Sequence, residues 1–280
     1  MSADQVLPCR HPGAMPDEIV SKVINVISSL SSDKAFLADQ GLSQQEYEHA
    51  LPAAIERLRG RYSADTKIKR KFLHNIFQHM LGLGIISKFE MPRHGKDTVY
   101  RLTIESLGDV AIIQKGCPDG AHSSVRWQAP DWAVETYIWW LCSSQAYEPG
   151  EHVAKGVNRL RNRFFSQASD NLDGVIFHNE LCGTTERPCP KKNASIIIEG
   201  ASVPPPCIFV MPAPDPIASE WNWRGETKRK FPNILLSMFS IPLEQADSYV
   251  GYVGFQQRGS LIQTTISSIY GPGRSTKFRK

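Results

Sequence analysis

Hydrophobic positions in the amino-terminal part of the chain follow a period near 3.6. Ile19, Val23, Val26, Ile27 and Leu30 recur behind Asp17 and Glu18, which predicts a helix over 16–30 with an acidic first turn. Ser43 followed three residues on by Glu46 forms a capping box and opens a second helix toward Arg61, which Pro52 should kink or split. The clearest periodicity covers 66–81. Ile68, Phe72, Ile76, Met80 and Leu83 fall on one side, Lys67, Lys69, Arg70, Lys71 and His74 crowd the start, and Gly82 and Gly84 end the helix.

The period then shortens to two. A short apolar strand in GIISKFEM leads through the turn Pro92-Arg93-His94-Gly95-Lys96-Asp97 to a strand that sets Val99, Arg101 and Thr103 against Tyr100, Leu102 and Ile104. Past Glu105 the pattern predicts strands at 110–114, 175–178, 195–199 and 207–211. It also predicts helices at 131–141, rich in Trp132, Trp139 and Trp140, and at 151–165, where Lys155, Arg159 and Arg163 share a face. Pro204–Pro206 and Pro212–Pro216 mark loops. The fold class is therefore α+β (mixed α/β), with a helical domain over 1–104 and a mixed-sheet domain over 105–280, in line with a prior of about 150 residues per domain.

Composition narrows the class. A hydrophobic fraction of 41% with 21% charged residues excludes a disordered or fibrous chain. The net charge of +4 is too small to announce a polyanionic partner, so the position of the cations carries the signal. No run approaches the roughly 18 apolar residues of a membrane span, and the opening residues lack the order of a secretory leader, which predicts a cytoplasmic protein without a membrane partner. The six cysteines show no disulfide spacing, as expected of thiols in a reducing compartment.

The order helix, basic helix, short strand, basic turn, strand, carried by TKIKRKFLHNIFQHMLGLGIISKFEMPRHGKDTVYRLTI, resembles the winged helix-turn-helix family. That resemblance implies a module over Ser43–Ile104 whose helix from Thr66 enters the major groove of double-stranded DNA while the hairpin touches the backbone. Lys67, Lys69, Arg70, Lys71, Arg93, His94 and Lys96 are the DNA contacts it implies. Cations at a helix start and a hairpin tip gain affinity by displacing counterions from phosphates. The bland alternative is a solvated helix face beside an ordinary hairpin.

In the second domain, NLDGVIFHNELCGTTERPCPKK places Asp173 before an apolar strand, His178 and Glu180 after it, and Lys191 and Lys192 soon beyond. Two-carboxylate nucleases hold Mg²⁺ between an acidic pair so that it activates water and stabilises phosphate charge. Asp173 and Glu180 are the expected metal ligands, with His178, Lys191 and Glu199 as further catalytic candidates. The segment is loosely similar to the PD-(D/E)xK nucleases of restriction systems, although Cys182 stands where that motif has Lys, and the literal Glu226-Thr227-Lys228 lies in a polar stretch. His178, Cys182 and Cys189 offer a less favoured structural Zn²⁺ reading. Lys115, Asp119, His122 and Arg126 form a polar set better explained by turns. Arg159 and Arg163, with the basic tail Arg274, Lys277, Arg279 and Lys280, add possible backbone contacts. The resemblance points to a type II restriction endonuclease, acting as a homodimer because cutting two strands calls for two sites. Dependence on base methylation is a variant. A winged-helix transcription regulator with a ligand-sensing or dimerisation domain is the alternative.

Overall fold

The computed structural model describes residues 22, 25–27, 29–50, 66–92, 98–115, 125, 127–141, 156, 157, 160, 171–178, 193–213, 222–224, 229–246, 249–258, 261–269 and 275–279. The side chains of 31, 66–68, 222–224, 257, 258, 261, 268, 269 and 275–279 are outside that description. Pro52 and its expected kink lie outside it as well, as does most of the helix expected over 151–165.

Ser43 caps as its spacing predicts. Its Oγ and N–H both donate to Glu46 Oε2, at 2.7 and 2.9 Å, and the Glu46 N–H donates back to Ser43 Oγ at 3.2 Å. Residues 44–50 are helical behind it, after a short helix α1 (Lys34–Asp39). The basic helix α2 spans Thr66–Gly82. It ends in a Schellman turn: Ile85 N–H donates to Met80 O at 2.9 Å, and Gly84 takes the left-handed φ of 68° that the turn requires.

Ten strands form one mixed sheet, and two more form a separate hairpin. β1 (Lys88–Glu90), β2 (Val99–Ile104) and β3 (Gly108–Lys115) run antiparallel. β4 (Glu135–Leu141) and β5 (Gly174–His178) then lie parallel to β3. β6 (Ile196–Ile198) and β7 (Ala201–Val203) make the hairpin. β8 (Cys207–Val210) is antiparallel to β5 and parallel to β10 (Val250–Arg258). β9 (Asn222–Arg224) also pairs with β10, and β11 (Leu261–Ile269) and β12 (Ser275–Arg279) complete the sheet. Helices α3 (Phe231–Ser237) and α4 (Leu243–Ala246) interrupt the last third of the chain. The architecture is mixed α+β with a large sheet and few helices.

The segment 131–141, expected as a helix, is a turn followed by β4. Every residue of ETYIWWL in that strand is buried. A helix on a sheet needs a polar face, and this run of Thr, Tyr, Ile and Trp has none; it suits a central strand covered on both sides. Trp139 and Trp140 then point to opposite faces and anchor two separate cores. Toward one core α2 contributes Leu73, Ile76, Phe77 and Met80, and α3 contributes Phe231, Leu235 and Leu236. On the other side Val157 and Leu160 cover Ile138, Trp140, Val175 and Phe177.

Each of the four α2 side chains gains roughly 1.5–3 kcal/mol by burial, whereas an exposed ion pair is worth about 0–1 kcal/mol. Packing on the sheet therefore decides which face of α2 turns inward. β2 shows the alternation its sequence predicts, with Tyr100, Leu102 and Ile104 buried. It is an interior strand of the sheet, joined to β3 in full register across the boundary expected after 104. Among the described residues no helix is long and apolar enough to cross a membrane.

Candidate functional site

Three parallel strands give the sheet two unlike ends. The carboxyl ends of β3, β4 and β5 are Lys115, Leu141 and His178. The amino ends carry Asp109 in β3, Glu135 in β4 and Asp173 immediately before β5. One edge is basic and the other acidic.

The amino-terminal half of α2 lies over the basic edge. Phe72 meets the His178 ring edge-on at 4.9 Å, and Trp139 stacks on that ring at 5.7 Å. His178 is buried, and its Nε2 sits 2.7 Å from Pro204 O. A carbonyl only accepts, so Nε2 carries the hydrogen between them. Of the α2 cations, Lys71 and His74 are exposed, whereas Lys69 and Arg70 are part-buried with Lys69 Nζ and Arg70 Nε turned inward. The Lys67 side chain lies outside the described residues.

Alongside α2 runs β1. Phe89 meets His74 at 5.7 Å and Phe77 at 5.9 Å, so the hairpin expected as a wing borders the helix. The hairpin tip with Arg93, His94 and Lys96 is outside the described residues. Lys88 and Glu90 alternate with Phe89, face the other side of the sheet, and pair with each other at 2.7 Å. On that side Asp109 accepts from Arg101 and from Thr103 Oγ1, and Arg101 lies 4.9 Å over the Trp132 ring. The Arg101 hydrogen bond holds the Asp109 carboxyl below its ordinary value.

At the acidic edge, Asp173 Oδ2 accepts the Thr136 N–H at 2.7 Å, and Asp173 Oδ1 pairs with Arg229 Nη2 at 3.2 Å. Burial raises the Asp173 carboxyl above its ordinary value, and the Glu135 charge adds to this against the Thr136 amide and Arg229. Glu135 Oε1 accepts the Lys230 N–H at 3.0 Å, while Oε2 accepts the Phe231 N–H at 3.1 Å and the Tyr137 hydroxyl at 2.7 Å. Burial, reinforced by Glu135, pushes the Tyr137 hydroxyl well above its usual range.

Mg²⁺ needs carboxylate oxygens free to converge on one point. Three oxygens of Asp173 and Glu135 accept hydrogen bonds from protein donors, and the Arg229 guanidinium stands against the fourth, Asp173 Oδ1. As placed, Asp173 and Glu135 serve these donors rather than converging on an ion. Asp173 is also separated from His178 by the length of β5, about 16 Å at 3.3 Å per residue. Glu180 and Lys191 lie outside the described residues, as do Cys182 and Cys189 of the zinc reading. Glu199 is exposed at φ 49° beside Gly200 at φ 78°, the two-residue turn between β6 and β7, so a tight hairpin accounts for its place. Arg159, Arg163, Asp119, His122, Arg126, Glu226 and Lys228 are outside the described residues, and no group of three or more potential metal ligands occurs among the described ones.

No family model, no curated protein and no solved structure matches the chain.

Glu135 and Arg229 escaped the sequence reading. Assigning 131–141 to a helix hid Glu135 as the first residue of a strand, and Arg229 stands in a polar stretch with no local mark. The amides that Glu135 accepts from are 95 and 96 residues away along the chain, and Arg229 meets Asp173 only in the folded chain, beyond the reach of periodicity.

Proposed function

We propose that this chain binds double-stranded DNA at the carboxyl edge of β3–β5, using the basic start of α2 and the adjoining β1–β2 hairpin in the manner of a winged helix. The observation that carries the reading is the contact of Phe72 with His178 at 4.9 Å. It brings the cationic helix start to the edge of a parallel sheet where ligands characteristically bind. Lys71 and His74 are the described side chains best placed for contact; Lys67, Arg93, His94, Lys96, Arg159 and Arg163 belong to the same proposal.

Fluorescence anisotropy of a labelled duplex tests it. The expected result is an affinity that falls log-linearly with salt, with a slope of about −0.9 per phosphate engaged, and that weakens in Lys71→Glu. No binding at low salt would refute the reading.

For the chemistry, we propose restriction-type endonuclease action with Mg²⁺ at this carboxyl edge, by a homodimer in the cytoplasm. His178 stands at this edge, and Glu180 and Lys191 belong to the segment that follows β5 in the sequence. Asp173, the other carboxylate of this reading, lies at the far end of the strand, engaged by Thr136 and Arg229. One observation favours the regulator instead: the carboxylate first expected to bind metal is engaged with Arg229 and Thr136. Incubation of methylated and unmethylated plasmid with Mg²⁺ separates the two. Nicking or linearisation supports the nuclease, and intact plasmid bound by the protein supports the regulator.

A further inference from the structure

The acidic edge carries a different role. α3 begins at Phe231 with Lys230 in the cap position, and its cap residue makes no side-chain hydrogen bond. The first amides of a helix need acceptors from elsewhere. Glu135 supplies both from across the sheet, one carboxylate oxygen for the Lys230 N–H and the other for the Phe231 N–H. Its negative charge also suits the positive end of a short helix. The residue before them, Arg229, is held by Asp173 at 3.2 Å. Asp173 is itself fixed by main-chain bonds: its N–H donates to Thr136 O, and its carbonyl accepts from Met211, both at 2.9 Å.

We propose that Glu135 and Asp173 form a two-carboxylate clamp that docks residues 229–231, and with them α3, onto the amino ends of β4 and β5, and that the clamp opens first at Asp173–Arg229. Both carboxylates are positioning residues. The two halves are unequal in strength. Glu135 is 7% exposed and accepts three hydrogen bonds. Asp173 holds Arg229 through a single contact at a part-exposed site, and Arg229 Nε is buried without a hydrogen-bond partner. Once the Asp173–Arg229 contact lets go, Glu135 is the carboxylate that still holds the start of α3, whose apolar face stays packed through Phe231, Leu235 and Leu236. The inference is independent of the DNA reading, and its test uses no DNA.

Amide hydrogen exchange across 229–237 in the full chain tests the clamp. Glu135→Gln keeps the shape but weakens three hydrogen bonds to a charged acceptor, and should speed exchange of the 230–237 amides by about tenfold or more. Asp173→Asn and Arg229→Gln should each speed it a few-fold, by the same factor, and the double variant should add nothing further. Titration with Mn²⁺ alone should be identical for the native chain and Asp173→Asn. Unchanged exchange in both Asp173→Asn and Arg229→Gln would overturn the proposal, as would loss of a native Mn²⁺ site in Asp173→Asn. Arg229→Gln leaves both carboxylates in place, so it decides the matter even if Glu135→Gln does not fold.

Discussion

At the carboxyl ends of β3–β5 stand Lys115 and His178, with Phe72 of α2 against the His178 ring; at the amino ends stand Asp109, Glu135 and Asp173, each accepting hydrogen bonds from neighbouring donors. The described carboxylates of these strands thus gather at one end, each of them engaged. A carboxylate before a strand is a weak sign of metal chemistry until its partners are known. Asp173 and Glu135 are engaged by amides, a hydroxyl and a guanidinium. The opposite edge lacks such acids among its described residues and carries a histidine whose Nε2 faces the Pro204 carbonyl.

The comparison breaks most readily at Glu135. Glu135→Ala strands two main-chain N–H groups and the Tyr137 hydroxyl in a buried site, and at roughly 1–3 kcal/mol for each group left unpaired the expected loss is several kcal/mol. Urea denaturation would show it. A loss under about 1 kcal/mol would mean that α3 is held by its apolar face alone.

Gly174 comes next. A Cβ there would lie 2.5 Å from the Tyr137 ring and 3.1 Å from Phe209 O, so Gly174→Ala should destabilise by about 1–3 kcal/mol through overpacking at the acidic edge. DNA affinity measured on the folded variant should stay at the native level.

At the basic edge the expected effects are smaller and concern binding. The double change Lys71→Glu and His74→Glu should leave the melting temperature within a degree or two while weakening duplex binding about tenfold, equivalent to ~1.4 kcal/mol. Equal binding by the two proteins would move the DNA contact away from α2.

The smallest effect separates two acids of the same edge by sign. Asp173 has a folded value raised by burial, so the native state takes up its proton first, and stability falls as pH rises from the ordinary carboxylate range through that raised value. Asp109 has a folded value lowered by Arg101, so its contribution is present above the ordinary range and is lost as pH falls. Denaturation midpoints across pH should therefore lose their downward limb in Asp173→Asn and their upward limb in Asp109→Asn. Parallel curves for the two variants would contradict the assignment.

Much of this was legible in the chain. α2 showed itself through its terminal glycines and through Ile76 and Met80 of its stripe, although Leu83 is exposed and Leu73 and Phe77 join the core instead; the Ser43–Glu46 box showed through its spacing, and β2 through strict alternation. β4 did not, because an unbroken apolar run suits a buried strand and a buried helix alike. The β10–β11 hairpin passed unnoticed although Gly259-Ser260 separates two alternating runs, the usual mark of a two-residue turn. The acidic residues were harder to read. Whether Asp173 is open to a metal depends on Arg229 and Thr136, which only the folded chain brings to it.

The account rests on which edge meets the nucleic acid, and hydrogen exchange with and without saturating duplex DNA reads that directly. Protection should appear in peptides covering 66–82 and the end of β5 near His178, and exchange over 229–237 should be unaltered. Protection confined to 229–237 and the amino ends of β4 and β5, with α2 unchanged, would contradict it.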